Sequence, residues 1–183
     1  GGAVRLVSRK HDALEVDFRF AGDALTDTHL QYVLQLKNVV TLNLKKTPIT
    51  DAGMQHVAKI ATLKRLHLEQ TRVTDAGLKH LVGLKQLTYL NLFGAAVTDA
   101  GLETVRDMPA LKHVYVWHTK VTPDGIARFK KAAPHIAVWP DPQREAKRVE
   151  VVFEVAKASL ANAEAELAAA EREFKELHPR VDD

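Results

Sequence analysis

The chain has 183 residues, of which 46% are hydrophobic and 27% charged, as is usual for a globular domain. It contains no cysteine, which excludes disulfides, thiol catalysis and thiolate metal ligands. The net charge of +3 divides unevenly, because residues 1–142 hold 19 basic and 13 acidic residues, whereas residues 143–183 hold 7 and 10. No basic stripe interleaved with aromatics is present, and apolar runs are too short to cross a bilayer. Neither nucleic-acid binding nor direct membrane insertion is therefore expected.

The first segment, residues 1–13, is predicted to be an N-terminal cap. Val4, Leu6 and Val7 indicate a strand, followed by a polar turn. The end strand of a repeat array needs such a cover because its edge is otherwise unpaired.

A repeat follows. The stretch Thr74-Asp75-Ala76-Gly77-Leu78 recurs in closely similar form along the chain, and its first threonine occupies positions 26, 50, 74, 98 and 122. A 24-residue period over five copies is typical of a solenoid. We therefore predict a right-handed α/β solenoid of about five repeats spanning residues 14–142.

Each repeat is predicted to contain a short strand, a turn and a helix. In the strand, Leu66 and Leu68 point inward. The helix begins at an N-cap threonine (Thr50, Thr74, Thr98) and buries Leu78, Leu81 and Leu84 in one copy and Leu102, Val105 and Met108 in the next. The aspartates that follow the threonines recur at every helix start. This periodicity favours helix capping over calcium binding or paired-carboxylate catalysis.

The pattern changes after residue 142. Residues 143–178 are predicted to form one amphipathic helix of the coiled-coil type, and residues 179–183 a tail. The apolar seam has heptad spacing and consists of Phe153, Ala156, Leu160, Ala163, Leu167, Ala170, Phe174 and Leu177. The helix could self-associate, pair with another helix of a parent protein, or fold back on the solenoid. Lys147 in its first half and Glu171 in its second exemplify opposite charges that favour an antiparallel homodimer.

The repeats resemble the leucine-rich repeat family. The consensus Leu-x-x-Leu-x-Leu-x-x-Thr-x-Val-Thr-Asp-Ala-Gly-Leu is similar to the ribonuclease-inhibitor-like and F-box-partner-like branch over about residues 14–139. Many members carry Asn or Cys where this chain has Thr71 and Thr119, and in this respect the repeats resemble planctomycete-type domains. Such domains often follow c-type cytochrome domains and membrane-spanning segments in one polypeptide. The resemblance implies a recognition scaffold with a protein partner, or else an accessory spacer of a larger membrane-associated redox protein. It also favours an extracytoplasmic or periplasmic location. No F-box or Cys-x-x-Cys-His motif occurs here, so neither ubiquitin-ligase nor haem function is carried over.

The outward strand positions of such repeats form a recognition face, which the 24-residue period arranges in three rows. The rows are Asp17, Thr41, Arg65, Tyr89 and His113; Arg19, Asn43, His67, Asn91 and Tyr115; and Ala21, Lys45, Glu69, Phe93 and Trp117. The first repeats give an ordinary charged face. The last two give the predicted partner-binding residues, here called the aromatic patch: Tyr89, Asn91, Phe93, His113, Tyr115 and Trp117. Exposed aromatics rimmed by polar groups are typical of binding surfaces. The alternative is cover in cis, by the C-terminal helix or the segment around Trp139.

No catalytic or metal-ligating set is predicted. His56 and His80 lie one period apart, too far for sharing an ion, and no carboxylate completes a set with His67 and His113. No nucleophile elbow, phosphate loop or zincin motif is present. We therefore expect a non-enzymatic protein without a cofactor.

Overall fold

The computed structural model describes residues 2–8 and 12–177, and the chain divides into two compact units, Gly1–Asp141 and Pro142–Asp183. The predicted tail, residues 179–183, lies outside the described residues, as do residues 1 and 9–11 of the predicted cap.

The first unit is built on one sheet of seven strands, which lie side by side in chain order. The first two strands are antiparallel, and every later strand is parallel to its predecessor. The strands are β1 Ala3–Ser8, β2 Ala13–Asp17, β3 Val39–Asn43, β4 Arg65–His67, β5 Tyr89–Asn91, β6 His113–Tyr115 and β7 Ala137–Trp139. The hairpin of β1 and β2 stands where a capping strand was expected. The last strand, β7, was not predicted as a strand.

Helical segments connect the parallel strands. Two 3₁₀ helices, Gly22–Ala24 and Asp27–Gln35, join β2 to β3, and later connections carry α1 Asp51–Val57, α2 Asp75–Leu81, α3 Asp99–Thr104 and α4 Pro123–Ala132. A period of 24 residues leaves room for only two turns of helix. Leu84, Val105 and Met108 are therefore buried as predicted, but they follow α2 and α3 rather than lie within those helices.

The buried core is a set of apolar columns that run across the repeats. One inward-pointing residue from each strand from β3 to β7 is at most 2% exposed, and these residues pair in register: Leu42, Leu66, Leu90, Val114 and Val138. Helix residues such as Leu78 and Leu102 are equally buried and lie one period apart. Each repeat therefore completes its core only against its neighbours, as the period predicts.

The strand register corrects the predicted rows in the first repeat. From β3 to β7 each residue pairs with the one 24 positions later, as in Thr41 with Arg65. Between β2 and β3, however, Thr41 pairs with Glu15 and Asn43 with Asp17, a step of 26. The prediction that Asp17 lies beside Thr41 was wrong. The connection from β2 to Thr26 is two residues longer than the corresponding connections in the later repeats. The 3₁₀ helix Gly22–Ala24 lies in this longer connection.

The recurrent Thr-Asp pair joins successive repeats. Thr74 caps its own helix, since its Oγ1 accepts a hydrogen bond from the backbone N–H of Ala76 at 3.2 Å. The same Thr74 also donates its N–H (2.7 Å) and its hydroxyl (2.6 Å) to the carboxylate of Asp51, one repeat earlier. The arrangement recurs in four pairs, here called the Thr-Asp ladder: Asp27 with Thr50, Asp51 with Thr74, Asp75 with Thr98 and Asp99 with Thr122. The aspartates therefore connect repeats as well as standing at helix starts.

The glycine of the motif makes space for this ladder. A Cβ built on Gly77 would overlap Oδ1 of Asp51 and would lie 2.8 Å from Cγ1 of Val73. Gly101 and Gly125 stand in the same relation to Asp75 and Asp99. Threonine, aspartate and glycine thus form one inter-repeat contact, in which only glycine lets the preceding carboxylate approach.

The second unit is a single helix, α5 Pro142–Leu177, of 36 residues. The large seam residues Phe153, Leu160, Leu167 and Phe174 are 60–64% exposed. The alanines at 156, 163 and 170 are exposed as well, whereas the side chain of Leu177 lies outside the described part of the chain. None of the helices in residues 2–8 and 12–177 combines the length and apolar character that a bilayer crossing requires.

Candidate functional site

The candidate site lies on the face of the sheet turned away from the buried leucines, here called the open face. Its first row is Glu15, Thr41, Arg65, Tyr89, His113 and Ala137, and its second is Asp17, Asn43, His67, Asn91, Tyr115 and Trp139. Two residues further along the chain a third row follows, Arg19, Lys45, Glu69, Phe93 and Trp117. Backbone hydrogen bonds such as Gln70 N–H to Phe93 C=O (2.7 Å) continue the register beyond the strands.

Aromatic rings form a continuous line across the middle of the open face. The Tyr89 and Tyr115 ring centroids are 5.2 Å apart, and the His67 ring lies 5.0 Å from that of Tyr89 on the other side. The guanidinium of Arg65 sits 3.9 Å from the centroid of Tyr89, within cation–π range. The Tyr89 ring is therefore packed against His67, Tyr115 and Arg65.

A buried carboxylate lies beside this line. Glu69 is only 8% exposed, and its Oε1 accepts hydrogen bonds from Nδ2 of Asn91 at 2.8 Å and pairs with Nδ1 of His67 at 2.9 Å. The Oδ1 of Asn91 in turn accepts the backbone N–H of Phe93 at 3.1 Å. The second oxygen, Oε2 of Glu69, is buried and has no hydrogen-bond partner. The charged face of the early repeats, expected to be ordinary, therefore contains a buried polar network.

The carboxylate lines a small cavity, here called the Glu69 pocket. Its volume is about 200 Å³, and it is lined by Lys45, Glu69, Gln70, Asn91, Phe93, Tyr115 and Trp117. Trp117 is 41% exposed at the surface, while Phe93 packs edge-on against His118 with centroids 5.0 Å apart. Three aromatic side chains and one carboxylate thus converge on a space that fits one amino-acid side chain.

Ionisation on the open face reflects burial and neighbouring charge. Burial, assisted by the charge of Glu69, raises the pKa of Tyr89 above that of a free tyrosine, although a hydrogen bond with Asn91 acts in the opposite direction. Burial acts to raise the pKa of Asp17, but hydrogen bonds and charge from Arg19 outweigh it, so that pKa is lowered. Tyr89 is therefore neutral and Asp17 charged near pH 7.

The structure brings most of the aromatic patch together. Tyr89 and Tyr115 belong to the line of rings, and Asn91 is hydrogen-bonded to the hydroxyl of Tyr89. Phe93 and Trp117 line the Glu69 pocket together with Tyr115. His113 is exposed and pairs in register with Tyr89, but its ring makes no close stack within the described residues.

Several residues of the site were not singled out from the sequence. Arg65, His67, Glu69 and Lys45 precede the aromatic repeats, so row position alone gave no reason to select them. Trp139 belongs to the segment that, as the alternative interpretation, would cover the patch. It instead lies in β7 and pairs in register with Tyr115, so it extends the second row.

A second cavity lies at the N-terminal end of the sheet. It has a volume of about 360 Å³ and an almost wholly apolar lining that includes Val16, Phe18, Leu25 and Val33. Its polar lining is small, so it offers burial with little to orient a ligand. The Glu69 pocket combines both features and is the stronger candidate site.

In the part of the chain that the structure describes, no three histidine or carboxylate side chains are grouped to hold a metal ion.

Three consecutive segments, residues 35–58, 59–82 and 85–105, match the family model of the Leucine Rich repeat. They are leucine-rich repeats. No curated protein sequence matches the chain. Among solved structures, a leucine-rich repeat protein of Leptospira interrogans shares 18% identity, with a TM-score of 0.37 over 58% of this chain. The match spans 38% of that protein's length.

Leucine-rich repeats generally mediate protein–protein interactions and are typically non-enzymatic binding scaffolds. The repeats matched by the family model include β3, β4 and β5, and so contain Arg65, His67, Glu69, Tyr89 and Phe93. Two of the three rings in the line, His67 and Tyr89, and most of the residues that line the Glu69 pocket therefore lie in the segments that match the family model.

Proposed function

We propose that this protein is a non-enzymatic protein–protein interaction module, whose partner binds the open face at the aromatic patch. In this proposal residues 14–142 form a right-handed leucine-rich-repeat solenoid of about five repeats, and the open face is its concave side. Right-handed crossovers between parallel strands are almost universal, which supports the handedness. The cap is assigned to residues 1–13 and the assembly helix to residues 143–178.

The observation that carries the proposal is the line of rings through Tyr89 and Tyr115, next to an exposed Trp117. Tyrosine, tryptophan and arginine are the residues most often found at the energetic centres of protein interfaces. Here Arg65 lies on the Tyr89 ring at 3.9 Å, and the Tyr89 and Tyr115 rings stand 5.2 Å apart. Side chains already held in place lose little conformational entropy on binding, so this surface is preorganised for a partner.

The second part of the proposal concerns α5. An exposed heptad seam of Phe153, Leu160, Leu167 and Phe174 favours burial against another helix. Residues 143–160 hold four basic and three acidic side chains, whereas residues 161–178 hold two and five. An antiparallel pair would set the +1 half of one helix against the −3 half of the other. We therefore propose that α5 mediates assembly as an antiparallel homodimer.

The binding proposal is tested by selecting binders from a randomised peptide library on the full chain. Each selected peptide is then measured by biolayer interferometry against wild type, Tyr115→Ala/Trp117→Ala and Phe20→Ala. Phe20 is a matched control because it is an aromatic residue that is 83% exposed outside the aromatic patch. Peptides should bind wild type and Phe20→Ala alike, and the double variant at least about tenfold more weakly.

Two results would contradict the proposal. Failure of the selection to enrich any peptide would argue against a recognition face. Peptides that bind the folded double variant as well as wild type would move the site elsewhere. A solenoid with no binding face would fit the alternative, a spacer domain of a larger membrane-associated c-type cytochrome or redox protein, which rests on the family resemblance alone.

The assembly proposal is tested by light-scattering mass. The full chain should have twice the mass of one chain, and a chain truncated after Trp139 should have the mass of a monomer. Leu160→Asp should also be monomeric, because it places a charge in the middle of the seam. Asn162→Asp, at an exposed position outside the seam in the acidic half of the helix, controls for adding one negative charge. A monomeric full chain at the highest soluble concentration would refute the homodimer.

A further inference from the structure

The unpaired oxygen of Glu69 is the feature of the open face that the fold does not explain. A buried carboxylate normally has its oxygens satisfied by hydrogen bonds, and leaving one without a donor is costly. Oε1 has two partners, His67 and Asn91, whereas Oε2 has none. Neither an ammonium nor a guanidinium group lies within ion-pairing distance of Glu69 among the described residues; its one ionisable partner is His67. The network is therefore complete on one side and lacks a donor on the other.

The surroundings of this oxygen are suited to a positively charged group. Phe93, Tyr115 and Trp117 line the same pocket, and aromatic rings attract cations through their negative faces. A carboxylate next to several rings provides charge and cation–π attraction together. This combination disfavours an anionic or purely apolar group, which would leave the buried charge uncompensated.

The dimensions of the pocket restrict the ligand further. Small-molecule sites usually have volumes of about 300–1,000 Å³, whereas this cavity holds about 200 Å³. It is open at the surface beside Trp117, and so accommodates the end of one side chain presented by a larger molecule. Since Oε2 is buried, direct contact requires a small movement of the lining residues, but a charge attracts its opposite over several ångströms without contact.

We propose that the Glu69 pocket receives one basic side chain, lysine or arginine, of the protein partner. The inference rests on the proposed function, because it assigns the partner's chemistry at the same face. Glu69 supplies the countercharge, His67 and Asn91 hold its carboxylate in position, and Phe93, Tyr115 and Trp117 enclose the aliphatic part of the incoming side chain.

Two positively charged side chains near the pocket bear on whether it can receive a basic side chain. Lys45 lines the pocket without pairing to Glu69, and Arg19, which stands in the same row, pairs with Asp17 at 2.6 Å. Lys45 competes electrostatically with a basic side chain, so its removal should strengthen binding. Lys45→Met keeps the aliphatic length and removes the charge, and therefore tests this directly.

The experiment uses the peptides selected on the full chain and a defined probe set. The probes are acetylated, amidated Gly-X-Gly peptides with X as lysine, arginine, glutamine or glutamate. Binding is followed by NMR at the indole N–H of Trp117 and the side-chain amide of Asn91. The lysine and arginine probes should shift both signals, and the glutamine and glutamate probes should not.

Variants of the full chain then locate the charge. Glu69→Gln should weaken binding of the lysine probe and of the selected peptides about tenfold or more, in line with loss of a buried charge partner. Glu103→Gln removes the same charge from α3 and should change nothing, while Lys45→Met should strengthen binding severalfold. Thermal unfolding of each variant checks that the fold is retained. If Glu69→Gln does not fold, charge reversal at Lys45 serves instead, and Lys45→Glu should strengthen binding further than Lys45→Met.

The outcomes separate this inference from the proposed function. Selected peptides that share a lysine or arginine and lose affinity with Glu69→Gln support the inference. Peptides that depend on Tyr115 and Trp117 but contain no basic residue, or that bind Glu69→Gln unchanged, overturn the inference and leave the proposed function standing. A selection that yields no peptides, with no response to any probe, overturns both.

Discussion

Replacing Gly77 with alanine tests whether the Thr-Asp ladder stabilises the solenoid. Gly77 lies in the first turn of α2, where alanine would ordinarily stabilise the helix by about 1 kcal/mol. Here the new Cβ would overlap Oδ1 of Asp51 and approach Cγ of Met54 to 3.1 Å. If Asp51 turns away, Thr74 loses two hydrogen bonds to a carboxylate, each worth about 1.5 kcal/mol at the lower end of the usual range. The net expectation is a destabilisation of about 2 kcal/mol.

The matched control is Gly83→Ala. Gly83 is exposed, and a Cβ built on it meets nothing within 4 Å, so its substitution should change stability by less than about 0.5 kcal/mol. Both variants are compared with wild type by urea and thermal unfolding followed by circular dichroism. A loss of about 2 kcal/mol corresponds to a fall of roughly 4–8 °C in Tm.

A double variant shows whether the loss arises at Asp51. Asp51→Asn removes the charge that holds Thr74, so Gly77→Ala should cost less in that background than in wild type. The reasoning is refuted if Gly77→Ala is as stable as Gly83→Ala, or if the costs of Asp51→Asn and Gly77→Ala are fully additive.

Two further predictions concern ionisation. Burial acts to raise the pKa of Asp99, but hydrogen bonds from Thr122 and the charge of Arg128 outweigh it and lower that pKa. The ionised Asp99 therefore contributes its full stabilisation at pH values above the ordinary aspartate pKa of about 3.9. This stabilisation is lost as the pH falls through the pKa of Asp99 in the folded protein. Asp99→Asn should accordingly be less stable than wild type at neutral pH and approach it in strong acid, and an equal difference in urea unfolding at all pH values would contradict this. Burial raises the pKa of Tyr89, so Tyr89→Phe should remove the tyrosinate absorbance that develops at the highest pH, above about 10. Persistence of the high-pH component in that variant would contradict its assignment to Tyr89.

The repeat architecture could be predicted because each repeat consists of residue types with strong preferences for particular secondary-structure positions. Threonine at positions 50, 74 and 98 occupies N-caps, and the period of 24 equals the strand register from β3 to β7. The same period failed between β2 and β3, where the register is 26. The two extra residues before Thr26 shift β2 relative to the repeat, but they do not change the spacing of the threonines. The threonine period therefore gives no indication of them.

The candidate site was predicted less completely, for a physical reason. Aromatic side chains are few in this chain, and their positions in two adjacent repeats identified Tyr89, Tyr115 and Trp117. A buried carboxylate has no such signal, because Glu69 stands at an outward position, where a charged residue is ordinary. Its burial depends on Asn91 and on the pocket lining in the next repeats, which only the three-dimensional packing brings together.

The Thr-Asp ladder has a consequence for how such a chain can change in length. Every internal junction presents the same pair, so removing residues 75–98 would join Thr74 to Asp99 and recreate the Thr-Asp sequence at the new junction. At the C-terminal end, position 123 is a proline where the preceding repeats carry the acceptor aspartate, so the series of junctions stops at Thr122. Duplication or loss of a whole repeat inside the array therefore preserves the Thr-Asp contact, whereas an addition after the last junction does not. Whole repeats of 24 residues can therefore be added to or removed from the open face without redesigning the Thr-Asp contact between repeats.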